Sequence, residues 1–307
     1  MKGRDRMKPS SKKILSFGSL NIDHVYQVEN FVRPGGTIAS ESYHRFAGGK
    51  GLNQSLAMAR AGARVFHAGK IGADGLWLKQ LLSDSGVDTG FVEVGDGPCG
   101  HAIIQVNRDG ENAILINGGA NRKIGVKDLP TIFRKFAPGD FLVIQNETSA
   151  VPEIIKAAAT SGMQIVFNPA PMGPEVLKYP LRLVDYFIVN EVEGAALTGH
   201  RGPEEILTAM RKKFPRASVV LTLGAKGAAF AAKDNRFSVP AVKVKAVDST
   251  AAGDAFIGYF VAGVAAGESM EQATRTASEA AAICVTRAGA AASIPFRREL
   301  SRQRKKP

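Results

Sequence analysis

The chain has 307 residues, and 45% of them are hydrophobic, which is enough to build the core of one large domain or two smaller ones. Its net charge of +12 raises the question of nucleic-acid binding, but residues 1–13 and 297–307 each carry a net +5, so only +2 remains for the rest. We therefore expect two basic, disordered tails around a folded unit of residues 14–296, and no specific nucleic-acid partner.

The cysteine content and the hydropathy pattern exclude several other classes. Cys99 and Cys284 lie far apart without metal-type spacing, so neither a disulfide framework nor a zinc site is predicted. No stretch approaches the roughly 18 uncharged apolar residues that a membrane span needs, and the N-terminus lacks the apolar segment of a signal peptide. We expect a soluble, cytoplasmic protein with reduced thiols and no membrane partner.

Short β-rich runs alternate with helical patterns along the chain. The predicted buried strands are 14–17, 65–68, 141–145, 164–168, 186–189 and 219–223. The predicted helices are 52–61, 76–85, 153–161, 204–214, 255–266 and 272–286. This alternation predicts a doubly wound, mostly parallel α/β sheet flanked by helices. Two segments of about 24–46 and 91–117 interrupt it with strand-like runs and turn signals, and we expect them to form a small second sheet.

The first motif is a glycine-rich loop, Gly48-Gly49-Lys50-Gly51-Leu52-Asn53, which opens the predicted helix 52–61. Its three glycines leave backbone amides uncovered for a polar ligand. Glycine-rich loops are common, however, and a simple tight turn between a strand and a helix explains this loop equally well by itself.

The second motif is the run Asp248-Ser249-Thr250-Ala251-Ala252-Gly253-Asp254, which precedes the predicted helix 255–266. A helix that starts here would direct free N–H groups at an anion, and Asp254 would add a candidate base beside it. An anion hole with an adjacent carboxylate suits phosphoryl transfer to an alcohol. The alternative is an ordinary capped helix whose small residues only permit tight packing.

Several motif residues directly follow predicted strands, namely Asn21, Asp23, Glu147, Asn190 and Gly224. In open α/β sheets, ligands bind at the carboxyl ends of the strands, so these residues should share one cleft. The chain has no Gly-x-x-x-x-Gly-Lys-Ser/Thr loop, so phosphate binding of the Walker type is excluded.

Taken together, the two motifs and Gly18-Ser19-Leu20-Asn21-Ile22-Asp23 resemble the ribokinase-like carbohydrate kinase family over residues 14–295. Further segments match the family in order: Gly119-Ala120-Asn121, Asn168-Pro169-Ala170-Pro171, Asn190-Glu191-Val192-Glu193, Thr222-Leu223-Gly224-Ala225-Lys226-Gly227, and Val285-Thr286-Arg287 with Gly289. The resemblance implies a single kinase domain of residues 14–296, in which the small sheet is a lid over the sugar and also the contact of a homodimer.

The resemblance also implies a role for each motif residue. Asp254 would be the general base, and the amides of Ala251, Ala252 and Gly253 would form the anion hole. The implied sugar ligands are Asn21, Asp23, Gly49, Lys50, Asn53, Glu147 and Asp254. Asp23 could instead be a turn residue at a strand end, and Lys50 a solvated loop lysine.

ATP and two cations complete the implied site. The nucleotide would contact Asn190, Thr222, Gly224, Lys226, Gly227, Gly253 and Ser278. Glu193 would act on Mg²⁺ through water, unless it is simply a solvated helix residue. A monovalent cation such as K⁺ would lie among Asp248, Thr250, Cys284, Arg287, Gly289 and Ser293. Alanine is usual at the position of Cys284, and the change should be harmless if the contact is made by the backbone carbonyl.

The resemblance favours ATP-dependent phosphorylation of D-ribose at its 5-hydroxyl. The same chemistry on fructose, 2-keto-3-deoxygluconate or a nucleoside such as pseudouridine stays open. A noncatalytic sugar sensor on the same fold is a further alternative, although the candidate base and the glycine turn are both intact.

Overall fold

The computed structural model describes residues 12–303 and contains thirteen strands and nine α-helices in that range. The strands are β1 (Lys13–Phe17), β2 (Asn21–Gln27), β3 (Ser42–Gly48), β4 (Arg64–Ile71), β5 (Asp88–Val94), β6 (Gly100–Val106), β7 (Asn112–Asn117), β8 (Phe141–Gln145), β9 (Gln164–Asn168), β10 (Tyr186–Asn190), β11 (Ser218–Thr222), β12 (Ala228–Ala231) and β13 (Arg236–Val239). The helices are α1 (Lys50–Arg60), α2 (Leu76–Asp84), α3 (Leu129–Phe133), α4 (Val151–Thr160), α5 (Glu191–Thr198), α6 (Pro203–Lys213), α7 (Ala252–Ala265), α8 (Met270–Cys284) and α9 (Arg297–Gln303).

Nine strands form the main sheet in the order β13-β12-β11-β10-β9-β8-β1-β4-β5. All neighbours are parallel except β11–β12 and β12–β13, which are antiparallel. From β1 the chain builds outward through β4 and β5 on one side, then continues at β8 on the other side. The prediction of a doubly wound, mostly parallel sheet is confirmed, and its switch point lies between β1 and β8.

Helices cover both faces of this sheet, because alternate residues of a strand point to opposite faces. In β1, Ile14 packs in a cluster with Leu56 of α1 and Phe260 of α7. The next residue, Leu15, packs in a second cluster with residues of α4 and α6, such as Ile155. The fully buried strands therefore read as continuous apolar runs, which is why their positions could be predicted from the sequence.

The second sheet has four strands in the order β3-β2-β6-β7. The β3–β2 and β6–β7 pairs are antiparallel and β2–β6 is parallel. The predicted small sheet is therefore present, but its second segment begins at Gly100 and not near residue 91. Residues 91–94 belong instead to β5, where Phe91 pairs with Ala68 of β4 and its ring packs 6.3 Å from that of Phe136.

The C-terminal segment also differs from the expectation of a disordered tail from residue 297 onward. Arg297–Gln303 form α9, in which Leu300 is buried. Arg297 pairs with Glu268 at 3.0 Å, and Glu299 pairs with Arg287 at 2.5 Å, so charge and apolar contacts both hold the helix to the domain. Residues 1–11 and 304–307 of the predicted tails lie outside the described residues. Among residues 12–303, no helix has the length and apolar character that crossing a membrane requires.

Candidate active site

A cleft of about 230 Å³ opens at the carboxyl ends of the central strands. Its walls come from both predicted motifs and from the strand ends between them. The lining residues are Lys50, Asn168, Ala170, Ile188, Val189, Asn190, Glu193, Thr222, Ser249, Ala251, Gly253, Asp254 and Ile257. The structure therefore brings together residues that are up to about two hundred positions apart in the sequence.

Asp254 lies in the first turn of α7, on the wall of this cleft, and is only 8% exposed. Its Oδ2 accepts a hydrogen bond from Asn53 Nδ2 at 3.1 Å, and its Oδ1 accepts one from Gln54 Nε2 at 2.9 Å. Both donors belong to α1, so the helix that follows the glycine-rich loop holds the candidate base. Each carboxylate oxygen keeps a second lone pair that can accept a proton.

Burial and nearby charges act in opposite directions on Asp254. Burial raises the pKa of its carboxyl, while the Lys50 ammonium and the hydrogen bonds from Gln54 and Asn53 lower it, and the net direction is upward. For Lys50, burial lowers the pKa, but the carboxylates of Asp254, Glu147 and Glu193 outweigh it, so the pKa is raised. Lys50 therefore stays charged in a cleft lined by acidic groups.

The turn before α7 has an unusual backbone conformation. Ala251, the N-cap residue, has φ = 60°, a left-handed conformation that alanine seldom adopts. The amide of Ala252 donates to Ser249 O at 3.2 Å within the turn. At Gly253, an added Cβ would meet no atom within 4 Å, so a ligand can approach its backbone. Of the three predicted anion-hole residues, Ala251 and Gly253 line the cleft with Asp254, and Ala252 lies between them in the turn without lining it.

Asn21 and Asp23 lie in β2 of the small sheet, where Asp23 is not a turn residue but part of a strand. Asn21 Oδ1 accepts a hydrogen bond from Asn121 Nδ2 at 2.8 Å, which fixes its orientation. Burial, followed by the negative charge of Glu147, raises the pKa of Asp23 to about 6. A Cβ on Gly48 would stand 2.1 Å from Asp23 Oδ2, so this glycine of the loop makes room for the carboxylate.

Glu147 and Lys50 join the strand end of β8 to the glycine-rich loop. Glu147 Oε2 accepts hydrogen bonds from the Lys50 amide at 2.9 Å and from Ser19 Oγ. Gly49, with φ = 92°, supplies the left-handed turn before α1. Asn53 Oδ1 is buried without a hydrogen-bond partner, which leaves an acceptor for a ligand hydroxyl. The predicted sugar residues are thus linked by direct contacts or common neighbours.

Asn190 and Glu193 form the capping box of α5. Asn190 Oδ1 accepts from the Glu193 amide at 2.8 Å, and Glu193 Oε2 accepts from the Asn190 amide at 3.0 Å. Burial raises the pKa of Glu193, and Lys50 and the cap hydrogen bonds oppose that rise. Glu193 is therefore a buried, oriented carboxylate on the cleft wall and not a solvated helix residue.

The other predicted nucleotide residues lie on two separate elements. Thr222 ends β11 and lines the cleft, and Gly224 and Lys226 form a short 3₁₀ turn after it. Gly227 has φ = 106°, and an added Cβ would stand 2.1 Å from Val239 O, so glycine is required there. Ser278 is a buried residue of α8 and does not line the cleft.

A second polar cluster lies behind the α7 turn. Asp248 Oδ1 accepts from the Thr250 amide at 2.8 Å and Asp248 Oδ2 from the Gly289 amide at 2.8 Å. Burial raises the pKa of Asp248, but these hydrogen bonds outweigh it, so the pKa is lowered and the group is ionised at neutral pH.

The thiol of Cys284 links the two sides of this cluster. It lies 3.7 Å from Thr250 O and 3.0 Å from Ser293 Oγ, whereas the Cys284 carbonyl accepts from the Arg287 amide at 3.1 Å. The residue thus contacts its neighbours through its side chain as well as its backbone. Carboxylate, carbonyl and hydroxyl oxygens come together here, and such oxygens fit a hard monovalent cation. In the described part of the chain, no three His, Cys, Asp or Glu side chains form a metal-binding group.

Sequence reasoning missed Gln54 and Gln145. Gln54 directly follows Asn53 in the glycine-rich motif, and Gln145 is the last residue of a predicted strand, so position in the motifs was the available signal. The contact of Gln54 with Asp254 could not be inferred, because the two residues are 200 positions apart.

Known proteins resemble this chain in sequence and in fold. The pattern that defines the pfkB family carbohydrate kinases matches residues 11–297. A ribokinase of Haemophilus influenzae is 36% identical over 300 residues, which cover 94% of this chain and 97% of the relative. The structure of a Cryptococcus neoformans ribokinase in complex with ADP has a TM-score of 0.86 and 33% identity, covering 95% of this chain and all of that one.

An Arabidopsis thaliana ribokinase, solved with ribose and ATP, has a TM-score of 0.85 and 29% identity, covering 96% of this chain and 99% of the other. The ribokinase-like fold and the sugar kinase class predicted from the sequence are thereby confirmed. This chain belongs to the pfkB family of carbohydrate kinases.

Proposed function

We propose that the protein phosphorylates D-ribose at the 5-hydroxyl with ATP, and that Asp254 is the general base. The observation that carries the proposal is the setting of Asp254: a buried carboxylate beside Lys50, held by two amide donors, at the start of a helix whose N-cap is left-handed. The similarity to ribokinases, one of them solved with ribose and ATP, supports the choice of sugar and phosphate donor.

In the proposed reaction, Asp254 accepts the proton of the 5-hydroxyl as that oxygen bonds to the γ-phosphorus of ATP. The bond from the γ-phosphorus to the bridging oxygen breaks, and ADP leaves. The amides of Ala251, Ala252 and Gly253 would stabilise the charge on the transferring group, because a helix N-terminus favours an anion. The Ala252 amide would exchange its contact with Ser249 O for the phosphate. The open space at Gly253 supports a close approach of the phosphate.

The sugar would lie between the small sheet and the glycine-rich loop. Asn21 and Asp23 would bind adjacent hydroxyls, with Gly49, Lys50, Asn53 and Glu147 completing the set. Two features support this placement. Asn53 Oδ1 lacks a partner although it is buried, and Glu147 acts electrostatically on both Asp23 and Asp254, so these carboxylates face a common space.

The phosphates would lie near Asn190 and Thr222, with the adenosine near Gly224, Lys226, Gly227 and Ser278. Mg²⁺, when bound, neutralises charge on the phosphate oxygens. Glu193 would act on it through water, because this residue lines the cleft and the capping box fixes the orientation of its carboxylate.

A monovalent cation such as K⁺ fits the cluster of Asp248, Thr250, Cys284, Arg287, Gly289 and Ser293. The ionised Asp248 contacts the amides of Thr250 and Gly289, so this cluster joins the α7 turn to the segment after α8. The residues of the chain would therefore transmit cation binding to the anion hole by ordering the Ala251–Gly253 backbone.

We also propose that the small sheet pairs with that of a second chain. Phe46 and Ile116 share the face of Asp23, whereas Ile103 and Leu115 project to the opposite face, as the strand register requires. Leu115 is 68% exposed and Ile116 62%, so each face presents apolar area. One face would cover the sugar and the other the partner, since a monomer seldom exposes such patches on both sides.

The test is a substrate panel of D-ribose, 2-deoxyribose, D-fructose, 2-keto-3-deoxygluconate, uridine and pseudouridine with MgATP. D-ribose preferred by kcat/KM supports the proposal. Preference for another acceptor keeps the chemistry and replaces the substrate, whereas no turnover on any acceptor favours the sugar sensor.

A further inference from the structure

A chain of buried amide side chains leads from the main sheet to Asp254. Gln145 Nε2, at the end of β8, donates to Gln54 Oε1 of α1 at 2.7 Å. Gln54 Nε2 in turn donates to Asp254 Oδ1 of α7 at 2.9 Å. Gln54 is fully buried and Gln145 is 1% exposed, so neither contact is exchanged with bulk water. Three elements of the fold thus meet at one carboxylate oxygen.

The direction of these hydrogen bonds is set by the carboxylate. An ionised Asp254 can only accept, so Gln54 must turn its amino group toward Asp254 and its carbonyl toward Gln145. Gln145 must then present its own amino group to Gln54. Reversal of this order would require a proton on Asp254, so the chain of amides stabilises the ionised form over the protonated form.

The side chain of Gln145 leaves one buried polar atom without a hydrogen bond. Its Oε1 is buried without a hydrogen-bond partner. It lies against Gly18, where an added Cβ would stand 2.4 Å from that oxygen. An apolar side chain of the same length would fill this space without leaving an acceptor unpaired. Packing alone therefore does not explain the amide, whose one side-chain hydrogen bond within the described residues is to Gln54.

We propose that Gln54 and Gln145 are positioning residues that orient Asp254 and keep it ionised at neutral pH. This inference rests on the proposed role of Asp254 as general base. Burial drives the carboxyl toward its protonated form, and Gln54 is one of the groups that oppose it. Gln145 acts only through Gln54, because it fixes which end of the Gln54 amide faces Asp254.

The first test compares Gln54→Met, Gln145→Met and the double variant, because methionine keeps the length of the side chain and removes the amide. The measurement is kcat as a function of pH at saturating sugar and MgATP. Because the sugar is saturating, ionisation of Asp23 no longer affects the measured rate through sugar binding. The decline of kcat at low pH is the acid limb of this profile. A hydrogen bond to a charged group is strong, so Gln54→Met should lower kcat about 10- to 100-fold and shift the acid limb to higher pH by about one unit.

The inference also predicts that the effects of the two substitutions are not additive. Gln145→Met should shift the acid limb in the same direction by less, and in the Gln54→Met background it should have no further effect. Ser55→Ala is the matched control: Ser55 is the next residue of α1, is fully buried, and bonds to His67 Nδ1 at 2.7 Å and not to Asp254. This control should leave the acid limb unchanged.

Gln54→Glu provides a second test. It keeps the volume of the side chain, so it can still be measured if the methionine variant fails to fold. The introduced carboxyl group can still donate to Asp254 when it is protonated, whereas its ionised form repels Asp254, so the two carboxyl groups would share one proton. The shared proton leaves this pair only at a higher pH than the one at which Asp254 ionises beside glutamine, so, as pH falls, the kcat of Gln54→Glu should begin to decline at a higher pH than that of the unmodified protein.

Two outcomes would overturn the inference: a Gln54→Met variant with the original acid limb, or a Gln145→Met effect that adds in full to that of Gln54→Met. The Asp254→Asn variant distinguishes a failure of this positioning role from a failure of the proposed function. If Asp254→Asn keeps its turnover, the base is misassigned; if it loses turnover while both Met variants keep the original profile, only the positioning role fails. Sugar binding without ATP should change less than about threefold in both Met variants, since among the proposed sugar residues the side-chain hydrogen bonds of the two glutamines reach only Asp254.

Discussion

Gly258 of α7 lies so close to Ala57 of α1 that an added Cβ would stand 2.3 Å from the Ala57 Cβ. The two helices therefore touch at a glycine one turn beyond Asp254. This close approach brings Asn53 and Gln54 within hydrogen-bonding distance of the Asp254 carboxylate. The packing of a small residue in the core thus determines the geometry of the site.

Gly258→Ala should push α7 from α1 and weaken both amide contacts with Asp254. Overpacking of a dense core costs about 1–3 kcal/mol, so we expect a lower free energy of unfolding together with a loss of kcat. Urea unfolding and steady-state kinetics measure the two effects. Gly125→Ala is the control, since a Cβ there meets no atom within 4 Å. Equal stability in both variants would contradict this account of the contact.

Asp254→Asn should lower kcat by about 10³-fold or more while the affinity for sugar changes much less. Asparagine keeps the shape of the side chain but cannot take the proton of the hydroxyl. Steady-state kinetics measure the loss of kcat, and calorimetry of sugar binding without ATP measures the change in sugar affinity. A variant that loses sugar binding and retains kcat would show that Asp254 binds substrate without acting as a base.

Six strands of the main sheet and the glycine motifs could be predicted from the sequence, because continuous apolar runs and local turn chemistry depend on near neighbours in the chain. The outer strands β5, β12 and β13 were not predicted as part of this sheet. The boundaries near Phe91 and Arg297 could not. Phe91 reads as part of the small sheet, but it is placed in the main sheet by its pairing with Ala68. Arg297 reads as part of a basic tail, but its contact with Glu268 is set by the fold. The partners of Asp254 were missed for the same reason.

Asp23 should make sugar binding and stability respond to pH in opposite ways. Its pKa is raised to about 6, above the unfolded value of 3.8, so the folded state holds the proton more tightly between these pH values. Stability attributable to Asp23 is therefore highest below pH 3.8 and falls as pH rises through about 6, whereas the ionised form, which we propose accepts sugar hydroxyls, becomes the main form only above about pH 6.

The Asp23→Asn variant tests the pH dependence of both stability and sugar binding. At pH 8 it should raise the free energy of unfolding by up to about 3 kcal/mol, because the cost of the buried charge is removed, and at pH 4 it should change little. Its kcat/KM for sugar should fall and lose the dependence on pH near 6. Thermal unfolding at the two pH values and a pH series of kcat/KM provide the measurements. A variant less stable than the original at pH 8 would contradict the raised pKa.

Replacement of K⁺ by tetramethylammonium should lower kcat, since that ion is too large and too weakly coordinating for the oxygens around Asp248. Asp248→Asn should have low activity with either cation and lose the response to K⁺. Turnover is measured at constant ionic strength. An Asp248→Asn variant that K⁺ still activates fully would place the cation elsewhere.

Leu115→Arg should dissociate the proposed dimer, because it places a charge on the apolar face of the small sheet opposite to Asp23. Sedimentation velocity should show a dimer for the unmodified protein and a monomer for the variant at the same concentration. Val126→Arg is the control: Val126 is also an exposed apolar residue, at 50%, but it lies outside the four strands of the small sheet. The KM for sugar should rise in Leu115→Arg if the partner chain supports the lid, and remain unchanged in the control. Dimers of equal stability in both variants would show that this face does not form the contact.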